Sequence, residues 1–222
     1  MRNIVITGAN RGIGLALARR YRDRGDAVIA VCRQSSSELD ALGLRVEPGI
    51  DVTDGGCLTD LAGRLSGVDI DVLINNAGVM RPTGFDDIEQ QLDAYRLQFE
   101  VNSLAPLRVT RALLEHLGQG AKVAIITSRM GSIADNDSGG HYGYRMSKTA
   151  VNMGGVSMAL ELKERGIAVG LLHPGYVKTD MTGNTGHVDT EESAGGLIQR
   201  IDELSLETTG SFRHANGEEL LW

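Results

Sequence analysis

Ile4-Val5-Ile6-Thr7-Gly8-Ala9-Asn10-Arg11-Gly12-Ile13-Gly14 is the stretch that decides the fold. A short β-branched apolar run ends in a glycine-bearing turn, and a helical pattern over Ile13–Arg24 follows at once. Val and Ile suit a strand buried on both faces of a sheet. The glycines permit a tight turn and a close backbone approach. The start of the following helix offers free N–H groups and the positive end of its dipole. The spacing is Gly-x-x-x-Gly-x-Gly, which differs from the commonest dinucleotide fingerprint but keeps its strand, turn and helix. Such a turn can cradle a pyrophosphate, and it can also be a turn with no ligand.

Working outward, the same alternation recurs along the chain. Strands are predicted at Ile4–Thr7, Ala27–Val31, Arg45–Ile50, Val72–Asn75, Val123–Thr127 and Ala168–Leu172. Helices are predicted at Ile13–Arg24, Asp54–Leu65, Ile88–Leu117 and Tyr144–Arg165, with Gly25 and Gly166 placed where C-terminal glycines belong. Strand and helix in alternation imply a doubly wound α/β fold, a parallel sheet flanked by helices with right-handed crossovers. No repeat or Pro/Gly linker divides residues 1–222, so a single domain is predicted. In such sheets ligands bind beyond the carboxyl ends of the strands, so the chemistry should lie just after them.

Composition narrows the classes. Lys and Arg number 22 against 29 Asp and Glu, a net charge of −7, which disfavours nucleic acid and anionic membrane as partners. No apolar run approaches the ~20 residues of a membrane span, and the opening residues lack a signal peptide's pattern. Cys32 and Cys57 are too few for a disulfide framework and, with five His, show no metal-ligand spacing. A cytoplasmic protein without a bound metal is the expectation. Both cysteines read as small buried hydrophobes.

Tyr144-Arg145-Met146-Ser147-Lys148 places a phenol and an amine one helical turn apart on one face. A neighbouring ammonium should draw the phenol's pKa down from its ordinary value near 10, which makes it a usable proton donor. Tyr142 is a poorer partner for Lys148, and Lys122, Lys163 and Lys178 have no tyrosine four residues before them. At the cofactor end, the second strand finishes in Val31-Cys32-Arg33. An acidic residue there would bind the ribose hydroxyls of NAD, whereas arginine suits a 2′-phosphate, so Arg33 with Arg11 favours NADP(H) over NAD(H). Both arginines could equally be plain surface residues. Asp51-Val52 follows the third strand, where a carboxylate can accept from the adenine amino group or simply open the next helix.

Together these segments resemble the short-chain dehydrogenase/reductase family. The pieces that carry the likeness are Thr7-Gly8-x-x-x-Gly12-x-Gly14, Asn75-Asn76-Ala77-Gly78, Asn102, Ser128, Tyr144-x-x-x-Lys148 and Pro174-Gly175, in family order. Val101–Leu107, Tyr144–Lys148 and Gly217–Trp222 further resemble the C-factor/sniffer-type carbonyl reductase branch. The resemblance implies a Rossmann-type sheet and an NADP(H)-dependent oxidoreductase that reduces an aldehyde or ketone, reversibly. It implies Tyr144 as the general acid/base and Ser128 as the hydrogen-bond donor to the same oxygen, with Thr127 the near alternative. Lys148 would lower the phenol's pKa and hold the nicotinamide ribose, and Asn102 would position a water that links Lys148 to solvent. Gly8, Asn10, Arg11, Gly12, Ile13 and Gly14 would form the pyrophosphate turn, with Arg33, Asp51 and Val52 at the adenosine end. Ala77 and Gly78 would lie near the adenine ribose, with Asn75 mainly tying strands together. Pro174, Gly175, Val177 and Thr179 would hold the nicotinamide carboxamide.

The interval from Ser128 to Tyr144 is long, polar and glycine-rich, which suggests a mobile pocket rim, and the lid segment Met181–Asp189 is short. His173 reads as structural, while His141 is a candidate for the substrate side. The family also implies a homodimer or homotetramer through the two long helices, where Ala150, Gly154, Gly155 and Ser157 would allow close approach or else face the sheet. The rival reading is a regulatory or signalling protein of C-factor type that binds the dinucleotide with little or no turnover.

Overall fold

The computed structural model describes residues 1–222. In chain order the elements are β1 (Asn3–Thr7), α1 (Gly12–Asp23), β2 (Ala27–Val31), α2 (Ser37–Asp40), β3 (Arg45–Glu47), α3 (Gly55–Arg64) and β4 (Val72–Asn75). They continue with α4 (Ile88–Phe99), α5 (Ala105–Ala112), β5 (Lys122–Ile126), α6 (Tyr142–Lys163), β6 (Ala168–His173), α7 (Thr190–Glu203) and β7 (Phe212–His214). All strand pairs are parallel, in the order β3-β2-β1-β4-β5-β6-β7. This is the doubly wound, Rossmann-type sheet that the strand and helix alternation predicts.

The alternation of side chains along β1 splits the core in two. Ile4 and Ile6 join Leu17, Tyr21, Leu197 and Ile201 beneath α1 and α7. Val5 joins Leu61, Val109, Val151 and Ala159 beneath α3, α5 and α6. Glycine lets α6 lie close to this second face. A Cβ at Gly155 would stand 2.7 Å from the Leu171 side chain, and one at Gly154 would stand 3.1 Å from Leu107 of α5. Gly155 therefore faces the sheet and Gly154 faces α5.

Several elements depart from the sequence reading. β3 ends at Glu47, because Pro48 cannot donate to a ladder and Gly49 turns with φ +78°. The single helix expected over Ile88–Leu117 is divided. A π-helical turn spans Glu100–Leu104 and ends where Ala105 N–H reaches back to Glu100 O, and Pro106 then opens α5. A wide turn is needed there because Pro106 has no N–H for the preceding turn. The short α2, α7 and β7 were not expected. Cys57 is only half-buried, at the start of α3, while Cys32 is buried as expected.

Candidate active site

At the carboxyl ends of the strands a cleft of about 990 Å³ runs from the β2 end, past β1 and β4, to the end of β6. Its floor is the turn after β1. Gly8 and Gly12 have φ of +66° and +56°, and a Cβ at Gly14 would lie 2.3 Å from Gly8 O. Only glycine fits these positions. α1 begins without a side-chain cap and has no acidic residue in its first turn, so its leading N–H groups face the cleft unneutralised. Asn76 braces the turn: its Nδ2 donates to Thr7 O at 2.9 Å and Gly8 O at 3.1 Å, and its N–H donates to Thr7 Oγ1 at 3.0 Å. Ser36 Oγ donates to Asn10 O at 2.7 Å from the other side. A Cβ-free cradle with uncapped amides suits a pyrophosphate.

The adenosine end carries Cys32, buried, and Arg33, exposed and without a carboxylate partner. Asp51 Oδ1 accepts from Thr53 N at 2.9 Å and Thr53 Oγ1 at 2.7 Å. Those bonds, with a smaller contribution from Arg33, hold its carboxyl below the usual range against partial burial. Asp54, not Asp51, caps α3 by accepting from Cys57 N at 2.9 Å. Arg11 lies elsewhere than the sequence reading placed it. Its Nη1 meets Asp180 Oδ2 at 3.0 Å, on the loop beyond β6, so it spans the cleft instead of joining Arg33. Asn75, among the residues set at the cofactor end, ties its strand to a helix and not to a neighbouring strand. It is buried away from the cleft, and its Nδ2 donates to Thr110 Oγ1 of α5 at 3.1 Å. Asn76, Ala77 and Gly78 line the cleft in its place.

At the other end α6 presents Tyr144 and Lys148, both buried, on one face. Lys148 Nζ lies 5.8 Å from the Tyr144 ring centroid and donates to Ile126 O at 2.9 Å. Between them Ser147 donates to Tyr144 O at 2.8 Å and accepts from Asn102 Nδ2 at 3.0 Å. Burial pushes the phenol up to about 12, with a hydrogen bond to Ser128 pulling the other way, and burial pushes Lys148 down to about 8. This reverses the shift expected for the phenol. The ammonium lies near the ring and is directed to a backbone carbonyl, so desolvation dominates. Ser128 Oγ accepts from Met130 N at 3.1 Å, which leaves its own proton to donate. Thr127 is less available, since its Oγ1 donates to Asn152 Oδ1 at 2.7 Å. Both Nδ2 hydrogens of Asn102 are used, the second on Val79 O at 2.8 Å, while Oδ1 accepts from Val79 N at 2.8 Å and keeps one acceptor direction. The side chain is thereby a brace between the β4 loop, the π-helical turn and α6.

The loop after β6 closes the cleft. Gly175 turns with φ +91°, Val177 bridges to Val188, and the Thr179 methyl lies 3.6 Å from where a Cβ on Gly12 would be. Val177 O accepts from Thr182 Oγ1 at 2.6 Å, whereas Val177 N–H has no backbone partner and is free to donate. His173 lies edge-on to His214 at 4.8 Å, and its pKa is lowered to about 3, by burial first and then by His214, Arg129 and Lys148. It is a neutral, structural histidine, as expected. His141 is exposed ahead of α6 with φ +47° and does not line the cleft. Part of the presumed rim is pinned, with Arg129 pairing with Asp135 at 3.1 Å and Glu218 at 2.6 Å.

The family model for the short chain dehydrogenases matches residues 2–189. The chain belongs to this family. Among relatives, it is 44% identical over 229 aligned residues to 1-hydroxy-2-glutathionyl-2-methyl-3-butene dehydrogenase of Rhodococcus sp. (strain AD45), with 100% of each chain covered. It is 46% identical over 156 residues to C-signal of Myxococcus xanthus, covering 69% of this chain and 93% of that one. Among solved structures, the NADPH-bound carbonyl reductase from chicken fatty liver superposes with a TM-score of 0.90 at 31% identity, covering 100% of this chain and 99% of that one. Short-chain dehydrogenases are oxidoreductases, and no helix of this chain is long and apolar enough to cross a membrane.

Proposed function

We propose that this protein is an NADP(H)-dependent oxidoreductase that interconverts an aldehyde or ketone with its alcohol, with Tyr144 as general acid/base. The observation that carries the reading is the convergence of Tyr144, hydrogen-bonded to Ser128, with Lys148 at one end of a cleft floored by a Cβ-free, uncapped helix start. The nicotinamide cofactor supplies the hydride when bound. Gly12, Ile13 and Gly14 would hold its pyrophosphate, Arg33 its 2′-phosphate, Lys148 its nicotinamide ribose, and Val177 N–H with Thr179 its carboxamide.

In reduction, Tyr144 gives its proton to the carbonyl oxygen while Ser128 donates to that same oxygen and fixes its position. A phenol near 12 is a full acid in the resting site, so the proton is present when needed. Lys148, near 8, carries its charge at neutral pH and stabilises the phenolate left behind. In oxidation the same groups run in reverse. NADP(H) is favoured over NAD(H) because Arg33 is unpaired and no carboxylate follows β2. A C-factor-type signalling role without turnover is disfavoured, since a binding module has no use for a buried acid beside an ammonium. Met146, Met153 and Leu160 lie exposed along α6 at seven-residue spacing, which supports a homodimer or homotetramer through that helix.

NADPH absorbance, followed with a panel of aldehydes, ketones and glutathionyl alcohols, tests the reading. Tyr144→Phe should abolish turnover and keep NADPH binding, and equal turnover in that variant would sink the mechanism.

A further inference from the structure

The charge lining the cleft runs against that of the chain. The protein carries a net charge of −7, yet the cleft is lined by Arg11, Arg19, Arg33, Arg81, Lys148 and Lys178 against two carboxylates, Asp51 and Asp180. Most of these cations are accounted for. Arg11 pairs with Asp180 at 3.0 Å, and Arg19 pairs with Glu191 at 2.6 Å. Arg33 stands at the adenosine end, and Lys148 belongs to the proton-transfer pair. Arg81 and Lys178 have neither a carboxylate partner nor a role, and both are exposed.

Their placement is specific. Arg81 follows β4 and Lys178 follows β6, and these strands flank β5, whose end bears Ser128. The two cations therefore come from the loops that flank the one bearing Ser128, and both line the cleft, whereas Arg33 follows β2. Their backbones are anchored: Arg81 N–H donates to Oε1 of the fully buried Gln98 at 3.0 Å, and Lys178 N–H donates to Val188 O at 2.9 Å. The Arg81 guanidinium has no carboxylate partner, only Met80 O accepting from Nη1 at 3.2 Å, so on its fixed backbone it makes a site for a planar anion, because its fork matches a carboxylate in two parallel bonds.

We infer that Arg81, aided by Lys178, is a specificity-determining residue that binds a carboxylate carried by the substrate away from its reacting carbonyl or alcohol. The inference rests on the oxidoreductase reading of the cleft, and it makes the substrate an organic acid and not a neutral aldehyde or ketone. The Arg81 charge acts on ground state and transition state alike, so it sets KM and leaves kcat unchanged.

The test uses matched probes, 4-carboxybenzaldehyde against methyl 4-formylbenzoate for turnover, and their alcohols for calorimetric binding with NADP present. In the parent, the carboxylate member should show about tenfold higher kcat/KM and about tenfold tighter binding, with the advantage shrinking as salt is raised. Arg81→Gln together with Lys178→Gln should erase that advantage through KM, leaving the ester and kcat unchanged. Equal preference for acid and ester in the parent, or an equal loss on both in the double variant, would overturn the inference. Tyr144→Phe separates the two readings, since it should abolish turnover and keep the binding preference. Absence of turnover with either aldehyde would count against the oxidoreductase reading alone, and the binding comparison would still decide the carboxylate.

Discussion

Asn102→Ala should cost this protein more stability than its small change in volume suggests. The buried amide makes bonds of 2.8 Å to both Val79 N and Val79 O, and one of 3.0 Å to Ser147 Oγ. Ser147 keeps its donation to Tyr144 O, so it loses little. Val79 loses partners for both its N–H and its carbonyl. Val79 is half-buried and lines the cleft, so the low end of the roughly 1–3 kcal/mol for each group left unpaired applies, and the loss is about 2 kcal/mol. A domain of this size moves by roughly 2–4 °C per kcal/mol, so Tm should fall by about 4–8 °C. Scanning calorimetry and urea titration of parent and variant read this directly. Because the brace joins the β4 loop to the helix that carries Tyr144 and Lys148, saturating NADPH should recover part of the loss. A Tm within about 2 °C of the parent, with an unchanged urea midpoint, would refute the brace, because the space left by the amide could only add to the loss.

Three further perturbations probe other parts of the site. Arg33→Ser should weaken NADPH binding by about tenfold or more and leave NADH unchanged, as read by fluorescence titration of both; an equal effect on the two would exclude the 2′-phosphate contact. Gly14→Ala should abolish dinucleotide binding and lower Tm, since the added carbon would meet Gly8 O at 2.3 Å; calorimetric titration with NADPH checks it. Lys148 gives stability a pH signature. Folded, it releases its proton near 8, while the unfolded chain holds it to about 10.5, so the unfolded state binds more protons between those values. Parent stability should therefore climb with pH from 8 to 10 relative to Lys148→Met, approaching about 3 kcal/mol across the full window. Above pH 10 the buried Tyr144 opposes this, since only the unfolded phenol ionises readily there. Parallel pH profiles for parent and variant would disprove the burial argument.

Much of the fold is legible because five strands are dense runs of Val, Ile, Leu and Ala that alternate with helical patterns. What was missed has physical causes. Phe212-Arg213-His214 is a three-residue edge strand with a single apolar side chain, so neither length nor alternation marks it. α7 contains Gly195-Gly196, which weakens its helical signal. The pair is kept for packing, since a Cβ on Gly196 would lie 2.5 Å from Ala215 O. The adjacent amides Asn75 and Asn76 look alike in sequence. β4 turns the first toward α5, and the chain leaving the strand carries the second to the glycine turn. Arg11 was misplaced because its partner, Asp180, is far away in sequence and becomes its neighbour only in the folded chain. The Tyr144–Lys148 pair was visible from spacing. The direction of the phenol's shift was not, because burial is decided by what packs around α6.

In the proposed reading the glycine turn and Arg33 serve one ligand, yet they have opposite histories open to them. Gly8 and Gly14 are locked by contacts with Ala77, Asn76 and each other, so any replacement damages the scaffold. Arg33 protrudes from the end of β2 with no ion pair to lose. A change at this rim position, and any change of cofactor preference that follows from it, would therefore cost almost nothing in folding. The turn that makes dinucleotide binding possible at all stays frozen.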